Sequence, residues 1–181
     1  DHVESIRDLA VIQSIGEYHP WIEQQIKVVK EIRSHFHEEI ASFYNIFSPI
    51  SYLKRWFRTD QSRGDQVIAD FIKEDPETLA HVLDVIAGDI AILSRRLIQE
   101  AGVEGIYFSN QQVQDERVTP EEYRKIIEPS NIAVLEAANE AGGINILHIC
   151  GFEGASNEVE LFKDYPAQVI NWATHHEGLS L

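Results

Sequence analysis

The 181-residue chain is 44% apolar, long enough for one sizeable core, and shows no composition break, so a single domain over residues 1–181 is expected. Thirty acidic residues against fifteen basic ones give a formal charge of −15, which repels phosphate backbones and anionic membranes and makes nucleic acid and membrane poor partners. A single Cys excludes an intramolecular disulfide framework. With no apolar run of membrane-spanning length and no signal-peptide pattern, a reducing cytoplasm is the expected compartment. There is no Met, even at position 1, so the chain is expected to be part of a longer product.

In chain order, Val3, Ile6, Leu9 and Ile12 at helical spacing, stopped by Gly16, predict a short helix. Residues 20–35 form an amphipathic helix opened by Pro20, with Trp21, Ile22, Ile26, Val29 and Ile32 on its apolar face. The β-prone run 40–49, closed by Ser48-Pro49, is the first strand. Residues 50–59 mix Tyr52, Leu53, Trp56 and Phe57 with Lys54, Arg55 and Arg58; this segment is either a binding surface for an anionic substrate tail or a solvated face whose aromatics pack inward. A loop over 60–64 and a short helix over 65–73 follow. Asp75 as N-cap and Pro76 at the first helical position then open a long helix that ends at Ala101-Gly102.

Residues 103–110 are the second strand. Thr119 and Glu122 form a capping box for the next helix, which Pro129 is expected to break so that a new helix, capped by Ser130, runs to Ala141. The third strand is the apolar run between Gly143 and Gly151, and a short helix over 158–164 leads to the fourth, residues 168–172. Four strands alternating with helices predict a parallel α/β sheet with helices outside. An open sheet is possible, but a complete eightfold barrel takes about 250 residues, so this chain matches the middle half of a (β/α)8 TIM barrel, four βα units without its N- and C-terminal parts.

The third strand ends His148-Ile149-Cys150-Gly151. Side chains two apart share a face, so His148 and Cys150 point the same way near the strand's C-terminal end, where an imidazole and a thiolate can share one zinc ion. They can equally be a hydrogen-bonded core histidine and a small buried hydrophobe. A catalytic zinc site needs about three protein donors, and this Cys is the only one in the chain. His175 and His176, with Glu177, follow the fourth strand, where barrel sites lie. They are candidates for acid–base catalysis or for completing a metal site, against the alternative of an exposed polar loop. Asp115, Glu116 and Glu153 rank below them.

Several segments together resemble the uroporphyrinogen decarboxylase family, whose fold is an eightfold βα barrel: residues 43–49 (Phe-Tyr-Asn-Ile-Phe-Ser-Pro), 101–106 (Ala-Gly-Val-Glu-Gly-Ile), 119–123 with Pro129, 147–151 (Leu-His-Ile-Cys-Gly) and 169–172 (Val-Ile-Asn-Trp). The resemblance implies one of two chemistries. Haem-pathway members decarboxylate uroporphyrinogen without metal or organic cofactor, using an arginine-rich N-terminal loop and an aspartate. Here that loop is absent, and the strand that ends Phe-Asp-Ser in those enzymes reads Tyr107-Phe108-Ser109-Asn110. The other branch comprises zinc-dependent methyltransferases that move a methyl group between a corrinoid protein and a thiol. Their zinc site resembles His-x-Cys followed much later by a second Cys, which implies His148 and Cys150 as ligands, with the later Cys past Leu181.

On that reading Asn45, Asn110 and Asn171, near the C-terminal ends of their strands, orient the substrate along with Phe47 and Trp172; the alternative for the asparagines is capping of strand-to-helix turns. The expected function is the methyltransferase, with zinc, a corrinoid methyl carrier and a small-molecule substrate. The decarboxylase is the alternative, and a non-catalytic corrinoid or tetrapyrrole binder a third.

Overall fold

The computed structural model describes residues 3–36, 39–57 and 62–178; Arg58, Thr59 and Asp60 lie outside the described residues. A 3-10 turn (Ile6–Leu9), capped by Ser5, precedes α1 (Pro20–Ser34). Strand β1 (Phe43–Phe47) is followed by α2 (Pro49–Trp56), α3 (Arg63–Glu74) and α4 (Pro76–Gln99), then by β2 (Gly105–Asn110). The caps read from the sequence form: the Asp75 carboxylate accepts from the Thr78 amide at 3.1 Å, and Pro76 opens α4.

Thr119 and Glu122 form the capping box that starts α5 (Pro120–Glu122). Pro129 does not break the helix, contrary to the sequence expectation. Residues Tyr123–Ile127 widen into a π turn and run directly into α6 (Glu128–Glu140). The Glu128 amide bonds the Tyr123 carbonyl, so the ladder shifts by one residue and the missing proline N–H is absorbed without a new start. Ser130 accordingly caps nothing; its hydroxyl donates back to the Ile127 carbonyl at 2.8 Å. Strand β3 (Ile146–Ile149), a 3-10 turn (Val159–Phe162), β4 (Val169–Trp172) and α7 (Thr174–Glu177) complete the chain.

The four strands form one parallel sheet in the order β1-β2-β3-β4. Sequential parallel order means that each crossover steps the same way, and with the usual right-handed crossover every connecting helix lies on one face. A doubly wound sheet would reverse direction instead. Burial agrees. Ile46, Ile106, Phe108, Leu147 and Ile149 are sealed against the helix layer, where α4 and α6 pack along each other beneath β2. Their alternates, including Phe43, Asn45 and Asn171, are exposed on the opposite face. This is four units of a barrel wall, compatible with a partial (β/α)8 barrel. No helix of the described residues is long and apolar enough to cross a membrane.

Under the sheet, the Tyr123 hydroxyl accepts from the Asn110 amide at 3.0 Å and lies 3.3 Å from the Tyr165 hydroxyl and from the Asn131 amide. Burial pushes the Tyr123 phenol up to about 12. Its neutral form is thus favoured in the fold, so this contribution to stability is intact below pH 10 and is lost as pH rises from 10 toward 12. We expect Tyr123→Phe to cost about 1–3 kcal/mol by urea unfolding at neutral pH, because the buried Asn110 amide loses its acceptor and the Asn131 amide keeps only the Tyr165 hydroxyl. The same variant is expected to lose less stability than the parent between pH 10 and 12.

Candidate functional site

Register places the site residues in rows across the open face of the sheet. Phe47, Ser109, His148 and Asn171 are neighbours on successive strands, nearest the C-terminal edge. One step below lie Asn45, Tyr107, Ile146 and Val169. Cys150, two residues beyond His148, faces the same way and is partly exposed.

Within this group the imidazole is held on two sides. His148 Nδ1 is 2.6 Å from Asn171 Oδ1, an oxygen that also accepts from the Tyr107 hydroxyl at 3.0 Å. The Tyr107 ring stacks on the imidazole at 5.2 Å. An acceptor oxygen at Nδ1 puts the ring proton there and leaves Nε2 with its lone pair, the tautomer a metal-ligating histidine needs. Tyr107 also feels Cys150: burial first, then the charge of that neighbouring thiolate, raises the phenol's pKa. Phenol, imidazole and carboxamide therefore form one cluster, with the Cys150 thiol on the same face. Among the described residues no three His, Cys, Asp or Glu side chains gather to hold a metal; His148 and Cys150 present two donor types on one face.

Beside the cluster, with Cys150 in the shared wall, lies a cavity of about 130 Å³ between the ends of β1 and β2 and helices α2 and α3. On its lining, Lys54 Nζ meets Asp65 Oδ1 at 2.5 Å, with both residues buried. Lys54 is thus not the solvated residue expected of an amphipathic face, although Trp56 on the same helix is 65% exposed. Its ammonium also reaches Gln111 Oε1 and the Gln112 carbonyl, each at 3.3 Å, while Asp65 Oδ1 accepts from the Gln114 amide at 2.7 Å. Gly64 is required here, since a Cβ would come within 2.5 Å of the Lys54 carbonyl oxygen. Arg55 lies over the Phe47 ring at 4.9 Å. Gln111 Nε2 is buried and finds no acceptor among the described residues, a deficit of about 1–3 kcal/mol. Burial raises the Cys150 thiol's pKa; the Lys54 charge lowers it, and that of Glu177 raises it again.

The proposed site residues divide by strand parity. His148, Cys150, Asn45, Phe47 and Asn171 share the open face. Asn110 and Trp172 do not. The Asn110 carboxamide is buried toward the helices, donating to Tyr123 and accepting from the Gln111 amide at 2.9 Å, while the residue also lines the cavity. Trp172 packs against the apolar core. His175 and His176 are exposed on α7 and line none of the described cavities. Glu177 turns inward instead, accepting from the Asn157 backbone amide at 2.5 Å and its side-chain amide at 2.7 Å, and its carboxylate would have to shift to admit a Cβ at Gly151. Asp115 is taken up by Arg117, while Glu116 and Glu153 line separate open hollows. Sequence reasoning missed Tyr107, Asp65, Gln111 and Asn157; parity with Ser109 was the available signal for Tyr107.

A one-faced run of parallel βα units with polar side chains converging at its C-terminal edge defines a barrel-type α/β protein whose site lies where barrel enzymes keep theirs. The chain belongs to the uroporphyrinogen decarboxylase (URO-D) family, whose model matches residues 1–177. No curated protein matches the chain.

Removing one member of the buried ion pair strands the other. Asp65→Ala is expected to cost about 3–5 kcal/mol in urea unfolding, whereas the double change Lys54→Met with Asp65→Leu costs clearly less.

Proposed function

We propose that the protein is a zinc-dependent methyltransferase of this family, moving a methyl group between a corrinoid and a thiol. The observation that carries the reading is the His148 imidazole, braced through Nδ1 by Asn171 and stacked by Tyr107, on the same strand face as the Cys150 thiol. Hydrogen bonding at the remote nitrogen is what orients a metal-bound histidine and raises its basicity. His148 Nε2 and Cys150 Sγ would hold the ion, with a further donor from outside the described residues. A zinc ion there would supply Lewis acidity that keeps a substrate thiol deprotonated at neutral pH.

The chain's own residues do the rest. Asn171 accepts from His148 and Tyr107 together and so fixes the ring plane. Asn110 receives the Cys150 amide on its carbonyl at 2.8 Å and sets the height of the thiol. Asn45 and Phe47 offer a polar and an aromatic contact along the open face. The corrinoid is the methyl carrier, brought by a corrinoid protein, and the methyl acceptor is a small molecule.

The second reading is cofactor-free decarboxylation of uroporphyrinogen, favoured by the Arg55 guanidinium on the cavity wall, which suits a carboxylate-bearing substrate. Metal analysis separates the two. The methyltransferase reading expects about one tightly held zinc per chain, lost when His148 and Cys150 are both changed to Ala. Asn171→Ala is expected to weaken zinc about 10–100-fold in a chelator competition. A zinc-free preparation that still consumes uroporphyrinogen would overturn the first reading in favour of the second.

A further inference from the structure

We infer that Asn157 and Glu177 form a clasp that holds the loop after β3, residues 151–156, shut across the site, and that this loop is the gate through which a ligand reaches Cys150. The inference goes beyond the proposed function and stands whether or not a metal is bound.

The clasp joins three βα loops at one point. The Asn157 carboxamide accepts from the Gln112 amide at 2.8 Å through Oδ1, and through Nδ2 donates to the Cys150 carbonyl at 3.2 Å and to Glu177 Oε1 at 2.7 Å. Its backbone amide donates to Glu177 Oε2 at 2.5 Å. Asn157 therefore closes the loop on itself: its main chain ends the loop while its side chain grips the residue before it. Glu177, the last residue of α7, locks both feet from the next βα unit. It holds Asn157 through charge-assisted bonds and lies over Gly151 at the other foot. Asn157 is 8% exposed, so water competes little for these bonds.

Between its feet the loop is a small rigid unit with little else to hold it. Phe152 and Ala155 exchange backbone hydrogen bonds at 3.2 and 2.9 Å around a turn in which Gly154 takes a φ of 83°. Among the described residues, 151–156 make no other hydrogen bond, and within that span only Ala155 is buried. Such a segment swings as one piece about Gly151 and Asn157 once the Glu177 carboxylate lets go.

Its position is that of a partition. The cavity of about 130 Å³ holds only a few non-hydrogen atoms, and beside it lies an open hollow of about 520 Å³ walled by Gln114, Glu153, Gly154 and Ala155. Asp65, Gln111 and Phe152 line both spaces. Asp65 and Gln111 are fixed by Lys54, which leaves Phe152 as the movable part of the wall. With the loop swung aside, the two spaces merge into one of the size usual for ligand sites, about 300–1,000 Å³.

The single cysteine reports on the gate. With a chelator present, Cys150 is alkylated by iodoacetamide and by the bulkier, equally neutral 2-iodo-N-phenylacetamide, on the native protein and in urea. In either case the thiolate attacks the CH2 carbon, a C–S bond forms, iodide leaves and the thiol proton goes to solvent. The ratio of the bulky to the small rate therefore cancels the thiol's ionisation. The parent's native ratio is expected to fall well below the urea ratio. Phe152→Ala and Glu177→Ala are expected to raise it about tenfold, the scale of losing hydrogen bonds to a charged group. Gly151→Ala removes no hydrogen bond but pushes the carboxylate aside, and is expected to raise it too. Glu136→Gln, exposed on α6, leaves it unchanged. By hydrogen exchange, the amides of residues 151–157 are expected to exchange about tenfold faster in Glu177→Ala, with those of α4 at the parent rate. Asn157→Asp sets two carboxylates face to face and opens the loop, and adding Glu177→Gln restores an amide-to-carboxylate bond and with it the protection. A ratio unchanged in both Glu177→Ala and Gly151→Ala overturns the assignment. So does exchange that rises equally in α4, or a double variant no better protected than Asn157→Asp alone.

Discussion

The buried contact between Lys54 and Asp65 ties together the parts of the chain that make the site. Removing two charges from water is costly, and the attraction between them offsets this only when their remaining hydrogen-bonding capacity is also met. Here it is met by the loop after β2: Lys54 donates to Gln111 and Gln112, and Asp65 accepts from the Gln114 backbone. One pair thus fastens α2 to α3 and both to the C-terminal end of the sheet. Gly64 allows the approach, since any side chain there would strike the Lys54 carbonyl. The cavity and the placement of Gln111 follow from that closure. The Cys150 amide then bonds the Asn110 carbonyl, which brings the third strand into the same frame.

Much of the fold was legible because its signals are local. Capping side chains at Asp75 and Thr119, proline at the first helical position and alternating apolar residues in the strands each act within a few residues, and the structure realises them. Pro129 was misread because a proline's missing N–H has two remedies: breaking the helix, or widening one turn as Tyr123–Ile127 does. The choice depends on packing against α4, which no local pattern reveals. The Lys54–Asp65 pair was illegible for a related reason. On α2 alone Lys54 looks like a solvated residue, and only the fold of α3 against α2 buries it with a carboxylate.

The site residues show how much turns on parity. In β2, Ile106 and Phe108 are apolar and must face the helices, so Asn110 faces them too and Tyr107 and Ser109 face out. In β4 the same rule turns Asn171 outward and Trp172 inward. Nearness to a strand end was therefore a weaker guide than counting in twos. The tail obeys a helical count instead. Successive residues on α7 turn by about 100°, so His175, His176 and Glu177 cannot all reach the sheet. The carboxylate does so through Asn157.

The make-up of the open face carries the family's architecture into the chemistry. Its lower row holds Ile146 and Val169 beside Asn45 and Tyr107, while the upper row holds Ser109, His148 and Asn171 with Phe47 at the cavity. Parallel sheets are ordinarily covered on both faces, and a barrel meets that need by closing on itself around a packed interior. The row at the C-terminal edge is the more polar of the two, as expected where the lower layers of a barrel turn to packing and the last faces its mouth. The acidic surface sharpens the contrast. With formal charge −15 overall, the exposed Arg55 charge at the cavity acts only at short range, because solvent ions damp exposed charges beyond about 10 Å.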